Sequence, residues 1–390
     1  MEKIFAGTRS AFSLKSDREL ERAYLLFRMI QNRTLVKVGT ALTKTALRLH
    51  LPVEGLIRAT VFDHFCGGTT EEDCLPVVHA MYGKGVSSVL DYSVEGKEDE
   101  AHFDDAMHIT LKIIDFAKEL PAIPFAVFKP TGFGRFELYE KIGEGKPLSD
   151  AEKIEWDRVV ARFDAVCAKS AQNGIEVLID AEESWMQDAA DELVEQMMQK
   201  YNREKAVVFN TLQLYRHDRI DYLKKLHERA SREGFYIGMK LVRGAYMEKE
   251  NDRATAKGYP TPICASKQAT DENYDAGVAY MMQHLDRMAI FAGTHNEESS
   301  YKLMELMQAH GVPNGDRRIW FGQLYGMSDN ISFNLAERGY NVAKYLPFGP
   351  VREVMPYLIR RAEENTSVEG QTSRELFLIQ KERARRKGEN

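Results

Sequence analysis

The chain has 390 residues, of which 44% are hydrophobic and 10% aromatic, enough for a sizeable core and too many for a disordered polymer. Its 53 basic and 59 acidic residues leave a formal net charge of −6, which argues against a dedicated nucleic-acid binder. No run approaches the roughly 18 apolar residues of a membrane span, and the mixed-charge N-terminus carries no secretory or transit signal. The four cysteines, Cys66, Cys74, Cys167 and Cys264, have neither metal-ligand spacing nor a disulfide framework, which fits a reducing compartment. A soluble, cytoplasmic protein is expected, at most peripheral at the inner face of a membrane.

Residues 1–85 read as an all-helical arm. Ser16-Asp-Arg-Glu19 is a capping box ahead of Leu20, Ala23, Tyr24, Phe27 and Ile30, spaced for one apolar face. Further helical patterns span 36–49 and 71–82, the second started by Thr70 and Asp73. From residue 86 strands alternate with helices. The strand candidates are 86–92, 124–129, 175–180, 206–213, 236–243, 288–294, 319–324 and 341–345. Helices are expected near 99–118, from a cap at Ser149 to Asn173-Gly174, and near 186–201, 216–233, 270–286, 296–310 and 329–337, with a polar loop around Gly258-Tyr-Pro-Thr-Pro262. Eight such units over about 280 residues match a (β/α)₈ barrel at 86–367, with a doubly wound sheet as the alternative. No GxGxxG follows an early strand, which argues against a dinucleotide-binding Rossmann unit. Residues 368–390 read as a charged, solvated tail.

Polar residues fall at or just past the C-terminal ends of these strands: Lys129, Asp180, Gln213, Lys240, Arg243, Thr294, His295, Gln323 and Tyr345. Barrel active sites are built on that rim. No metal set stands out, because His295 is alone on its loop and only Asp180, Glu182 and Glu183 could be read as a magnesium site. Lys129 or Lys240 could each serve as a Schiff-base lysine of a lyase, since a lysine on an apolar strand can lose its proton. A rim of cations and amides suits an anionic or large polar cofactor. A barrel that merely binds an amino acid is a third reading. After Tyr345-Leu-Pro-Phe-Gly-Pro350 a last helix is expected to start near Met355, with Pro356 in its first turn. Tyr357, Arg360, Arg361 and Glu364 then share one face. Paired arginines can grip a small carboxylate from two sides, although such pairs often only decorate a helix surface.

Several motifs resemble the proline dehydrogenase family: Leu90-Asp91-Tyr92-Ser93-Val94-Glu95, Lys240-Leu-Val-Arg-Gly-Ala-Tyr246, Thr294-His-Asn296, Gln323-Leu-Tyr-Gly-Met327 and the stretch from Tyr345 to Asn365. The resemblance spans roughly 60–367. It implies a distorted (β/α)₈ barrel whose last helix lies over the barrel mouth, and FAD-dependent oxidation of L-proline to 1-pyrroline-5-carboxylate by hydride transfer to flavin N5. By the same resemblance Arg360, Arg361 and Lys129 would bind the proline carboxylate. Tyr345, Tyr357 and Leu324 would wall the pyrrolidine ring, and Asp180 would lie near substrate and flavin. Gln213, Lys240, Val242, Arg243, Gly244, Ala245, Thr294, His295, Asn296, Gln323 and Glu364 would contact FAD. In some relatives the Lys240 and Arg243 types are interchanged, and Gly293 stands where alanine is familiar. Relatives that prefer hydroxyproline tend to carry a smaller residue at the Tyr345 position, so proline is the expected substrate and hydroxyproline the alternative. A quinone acceptor, with peripheral membrane contact, and a separate pyrroline-5-carboxylate dehydrogenase are the implied partners.

Overall fold

The computed structural model describes residues 3–49, 51–94, 98–367 and 371–388; within them the side chains of 33, 37, 44, 47, 48, 56, 59, 362–367, 371 and 372 are outside the description. Eight parallel strands form a closed barrel in sequential order. They are β1 (Val86–Tyr92), β2 (Phe125–Phe128), β3 (Glu176–Ile179), β4 (Val208–Gln213), β5 (Ile237–Val242), β6 (Met288–Gly293), β7 (Ile319–Leu324) and β8 (Val342–Phe348). Closure excludes the doubly wound alternative. Consecutive strands in one direction need crossovers, and the helices between them supply these.

The chain divides into two compact units, one of residues 96–322 and one of residues 1–95 with 323–390. In the first, β2 to β6 pair in register, with Phe209 opposite Gly238 and Lys240 opposite Phe291. Phe125 sits at the centre of an aromatic group, 5.2 Å from both Phe291 and Trp320 and 5.9 Å from Phe209, edge to face. That geometry suits the ring quadrupoles. Gly322 is required there, because a Cβ would stand 2.1 Å from the Phe291 ring. The helix Asp150–Asn173 begins in the expected box, with Ser149 and Glu152 capping each other's backbone, and stops where Gly174 turns left-handed at φ 71°. The expected polar loop after β5 instead contains a helix, Met247–Lys257, which ends at the left-handed Gly258. Its buried face is only Glu250 and Ala254, too narrow an apolar stripe to be seen as a pattern.

In the second unit β1 pairs with β8 along its whole length, and β8 runs on through Pro347 to Phe348, beyond the expected end at residue 345. Pro347 lacks an N–H, yet its carbonyl accepts from Gly67 N at 2.8 Å, so the ladder survives there. The arm helix Asp17–Ile30 starts in the Ser16–Glu19 box and Glu71–Tyr82 in the Thr70–Asp73 box. The helix Met355–Ser367 begins at Met355, so Pro356 falls in its first turn, where no hydrogen bond is lost. Residues 371–387, expected as a solvated tail, form another helix. Leu376, Leu378 and Ile379 on it bury against Phe12, Leu20, Ala23 and Phe27 of the arm. Charges outnumber apolar residues in that stretch and mask a short buried stripe.

Candidate active site

In the unit of residues 96–322, strand alternation decides which side chains leave the rim. On β5 the buried Ile237, Met239 and Leu241 face one way and Lys240 the other. The Lys240 ammonium donates to the Asp180 carboxylate just past β3, and the lysine side chain is 7% exposed. On β4, Thr211 Oγ1 donates to Ile179 O at 2.7 Å. Gln213, two residues on along the same face, is buried, and its Oε1 has no hydrogen-bond partner among the described residues. A buried acceptor left unpaired is expensive and points to a donor brought by a ligand.

Lys129 follows β2 at the start of the 3₁₀ turn Pro130–Gly132 and is half-buried. Beside that turn lies Glu182, whose carboxylate accepts from Thr131 N at 3.0 Å and Thr131 Oγ1 at 2.8 Å. Burial pushes its carboxyl up to about 7, against the pull of the Thr131 bonds and of Lys129. Glu183 is instead bound by Lys249 Nζ at 2.7 Å, so the three acids Asp180, Glu182 and Glu183 have three different partners. That arrangement holds each carboxylate separately.

The loops after β5 and β6 are tied together by Arg243. Its Nε donates to Asp271 at 2.7 Å, one terminal nitrogen to Thr294 Oγ1 at 2.9 Å, and the other to Ser299 Oγ at 3.0 Å. Its guanidinium also lies 4.5 Å from the Tyr274 ring centroid. Thr294 Oγ1 accepts in addition from Asn296 N, and Asn296 caps the helix Glu297–Ala309 through Ser299 N at 3.1 Å. Asp271, Tyr274 and Ser299 are therefore part of the site's frame although no sequence pattern singles them out; only Ser299, three residues after a capping asparagine, carries a local signal. Gly244 has φ 135°, and a Cβ there would meet the Tyr215 ring at 2.4 Å. Val242 O and Arg243 O accept from Leu214 N and Tyr215 N, while Ala245 is exposed and His295 half-buried.

In the other unit, Gln323 at the end of β7 is buried and accepts from Ser332 Oγ at 2.8 Å. Leu324 is half-buried, and Tyr345 on β8 is buried, its carbonyl accepting from Tyr325 N. On the helix Met355–Ser367, Tyr357 packs with Met327, Val354 and Phe65, and Arg361 one turn on has its guanidinium 4.9 Å from the Tyr357 ring centroid. Arg361 is 7% exposed and Arg360 half-buried. An arginine so deeply buried beside an aromatic wall is not surface decoration. The side chain of Glu364 lies outside the described residues.

A family model described as proline dehydrogenase matches residues 74–374. This chain belongs to the proline dehydrogenase family. Family membership makes it an oxidoreductase. Among similar proteins is a carbapenem antibiotics biosynthesis protein, CarD, of Pectobacterium carotovorum, 39% identical over 333 residues, 85% of this chain and 86% of that one. Proline dehydrogenase 1, mitochondrial, of Arabidopsis thaliana is 30% identical over 86% of this chain and 76% of its own length. The human proline dehydrogenase 1, mitochondrial, is 39% identical, but over 63% of this chain and 42% of that protein. Proline utilization A of Bdellovibrio bacteriovorus, solved after inactivation by N-propargylglycine, superposes with a TM-score of 0.73 at 20% identity. That likeness covers 98% of this chain and 38% of the larger protein, and it concerns the fold. In this member of the proline dehydrogenase family, no helix among the described residues is long and apolar enough to cross a membrane.

Proposed function

We propose that the chain oxidises L-proline to 1-pyrroline-5-carboxylate with FAD as its cofactor. The observation that carries this reading is the pair Arg360 and Arg361, with Arg361 buried against Tyr357, in a chain that belongs to the proline dehydrogenase family. The unpaired Gln213 Oε1, among the cations and amides of the barrel rim, fits a cofactor that brings N–H and O–H donors, as FAD does. By the resemblance, Gln213, Lys240, Val242, Ala245, His295, Gln323 and Glu364 would hold it. Arg243, Gly244, Thr294 and Asn296 would support it by fixing the β5 and β6 loops. Bound FAD supplies the two-electron acceptor for hydride loss from the ring carbon next to the proline nitrogen.

The protein's own residues have positioning tasks. Arg360, Arg361 and Lys129 hold the substrate carboxylate, the only anionic handle that proline offers, by charge-assisted bonds. Tyr345, Tyr357 and Leu324 shape the wall for the apolar ring. Asp180 fixes the Lys240 ammonium, which stabilises negative charge that develops during reduction. The same ion pair opposes a lyase reading, because it engages the nitrogen that a Schiff base would need to attack a carbonyl carbon. Electrons pass on to a quinone, and the product is consumed by a pyrroline-5-carboxylate dehydrogenase.

The test is spectroscopic. Purified protein loaded with FAD should lose its visible flavin absorbance when L-proline is added anaerobically, and less readily with trans-4-hydroxyproline. Protein that takes up no FAD, or whose flavin stays oxidised with proline, would overturn the reading; faster bleaching by hydroxyproline would move it to that substrate.

A further inference from the structure

Residues 324–328 carry the chain from the end of β7 to the helix Asp329–Ala336. Ser328, at φ 51°, is the one non-glycine residue among those described with a left-handed backbone. Strain of that kind persists only where the surrounding contacts over-determine it. Here the contacts come from segments far apart in the chain. Lys344 on β8, with its side chain 1% exposed, directs its ammonium to Met327 O at 2.7 Å and to Leu324 O at 3.3 Å. The His64 imidazole donates to Gly326 O at 3.1 Å. Glu375, on the helix Gln371–Lys387, accepts from Ser328 N. Asp329 is bonded to the Lys344 ammonium at 2.8 Å and lies 3.4 Å from that of Lys15. Two ammonium groups and two carboxyl groups are thus gathered at one turn.

Buried ion pairs are weak devices for stability alone, because apolar residues of similar volume often serve the fold as well. What they add is direction, since each carbonyl or N–H of the turn is met by a group with a preferred geometry. The residues on the turn make that direction matter. Leu324 opens it, and Met327 near its end packs with Tyr357, Val354 and Phe65. Tyr325 N donates to Tyr345 O at 2.8 Å. Lys344 and Tyr345 point to opposite faces of β8. Adjacent residues of one strand therefore hold the turn, one by its side chain and the other by its carbonyl. Leu324, Tyr345 and Tyr357 are the residues assigned above to the wall of the pyrrolidine ring, and this turn bonds to or packs on the other two members of that wall.

We propose that Lys344, with Asp329 as its counter-ion, and Glu375 are positioning residues for the substrate wall. They fix the turn at 324–328 and so set Leu324 against Tyr345 and Tyr357 at the spacing that a proline ring fills. They act through the turn and not on the substrate. The inference rests on the proposed oxidation of proline.

Four variants of the full FAD-loaded chain test this, assayed with L-proline and a soluble dye and normalised to bound flavin. Lys344→Met keeps the side-chain length and removes the donor. Glu375→Leu removes the acceptor, whereas Glu375→Gln keeps one for Ser328 N. Leu378→Ala is the control for lost stability alone, since Leu378 packs only in the core between the last helix and the arm. The KM for proline should rise at least about fivefold in Lys344→Met and Glu375→Leu, with a smaller change in kcat, while Glu375→Gln and Leu378→Ala stay within about twofold of the parent. If Lys344→Met does not fold, the contrast between Glu375→Leu and Glu375→Gln decides. A KM at the parent's value in the disruptive variants that fold, or a rise that Leu378→Ala shares, overturns the inference and leaves the catalytic reading standing. A parent that does not oxidise proline overturns the catalytic reading and this inference with it.

Discussion

At the scale of single residues, the arginine pair and the glycine after β5 make contrasting predictions. On the proposed carboxylate role, replacing Arg361 or Arg360 by alanine would remove a charge-assisted bond worth about 1.5–3 kcal/mol, so the KM for proline should rise roughly 10- to 100-fold in steady-state kinetics while bound FAD is retained. An unchanged KM in both variants would remove the carboxylate role. Gly244→Ala should act on the fold first. Its Cβ would enter the Tyr215 ring at 2.4 Å, and its φ of 135° disfavours any side chain, so a loss of about 1–3 kcal/mol is expected in denaturant unfolding, with FAD present or absent. The glycine's position in its motif is visible in the sequence, but the reason for it is not: the obstacle is Tyr215, twenty-nine positions earlier. Arg243 is similar. It stands in the motif, yet its three bonds to Asp271, Thr294 and Ser299 join segments whose proximity no spacing rule encodes.

Among the elements, legibility follows the contrast between buried and exposed faces. The strands β2, β3, β6 and β7 are largely apolar runs, as strands covered on both faces tend to be, whereas β1, β4, β5 and β8 interleave polar residues; all eight are found within a few residues of their expected places. Helix starts at Ser16, Thr70 and Ser149 are read from capping chemistry that is wholly local, and the three reciprocal boxes are present. The helices Met247–Lys257 and Gln371–Lys387 escape because their apolar stripes are short and charges dominate the count. The second has consequences for stability. Leu378 and Ile379 are almost fully buried against the arm, so Leu378→Ala or Ile379→Ala should each destabilise the unit of residues 1–95 and 323–390 by about 2–5 kcal/mol. Chemical denaturation would register this, and a change below half a kilocalorie would mean that the helix is only loosely attached.

For the whole molecule, buried ionisable groups predict how stability responds to pH. Burial lifts the carboxyls of Glu176, Glu182 and Glu375 up to about 7 from an ordinary 4.5. Between those values the folded chain keeps three protons that the unfolded chain has lost, so these groups make stability fall as pH rises. His64 works in the opposite sense. Burial, aided by Lys15, holds its imidazole down at about 3 from an ordinary 6.5, so it adds stability as pH rises through that range. One rising contribution against three falling ones leaves a net decline from about pH 5 to 7. Below that range the balance reverses. Asp329 is buried too, but the Lys344 and Lys15 ammonium groups outweigh burial and hold its carboxyl down to about 2. Glu100, bonded by Arg158 and Arg162, is also held to about 2, and the stability that both confer is lost as pH falls from the ordinary carboxylate range towards 2. The urea midpoint should therefore peak near about pH 5 and be lower at pH 7.5. Glu182→Gln removes one falling contribution, so it should stabilise the protein at pH 7.5 relative to pH 5 and flatten the decline. A midpoint that instead climbs steadily to pH 7.5, unaltered in slope by Glu182→Gln, would mean that these carboxyls are charged in the folded chain.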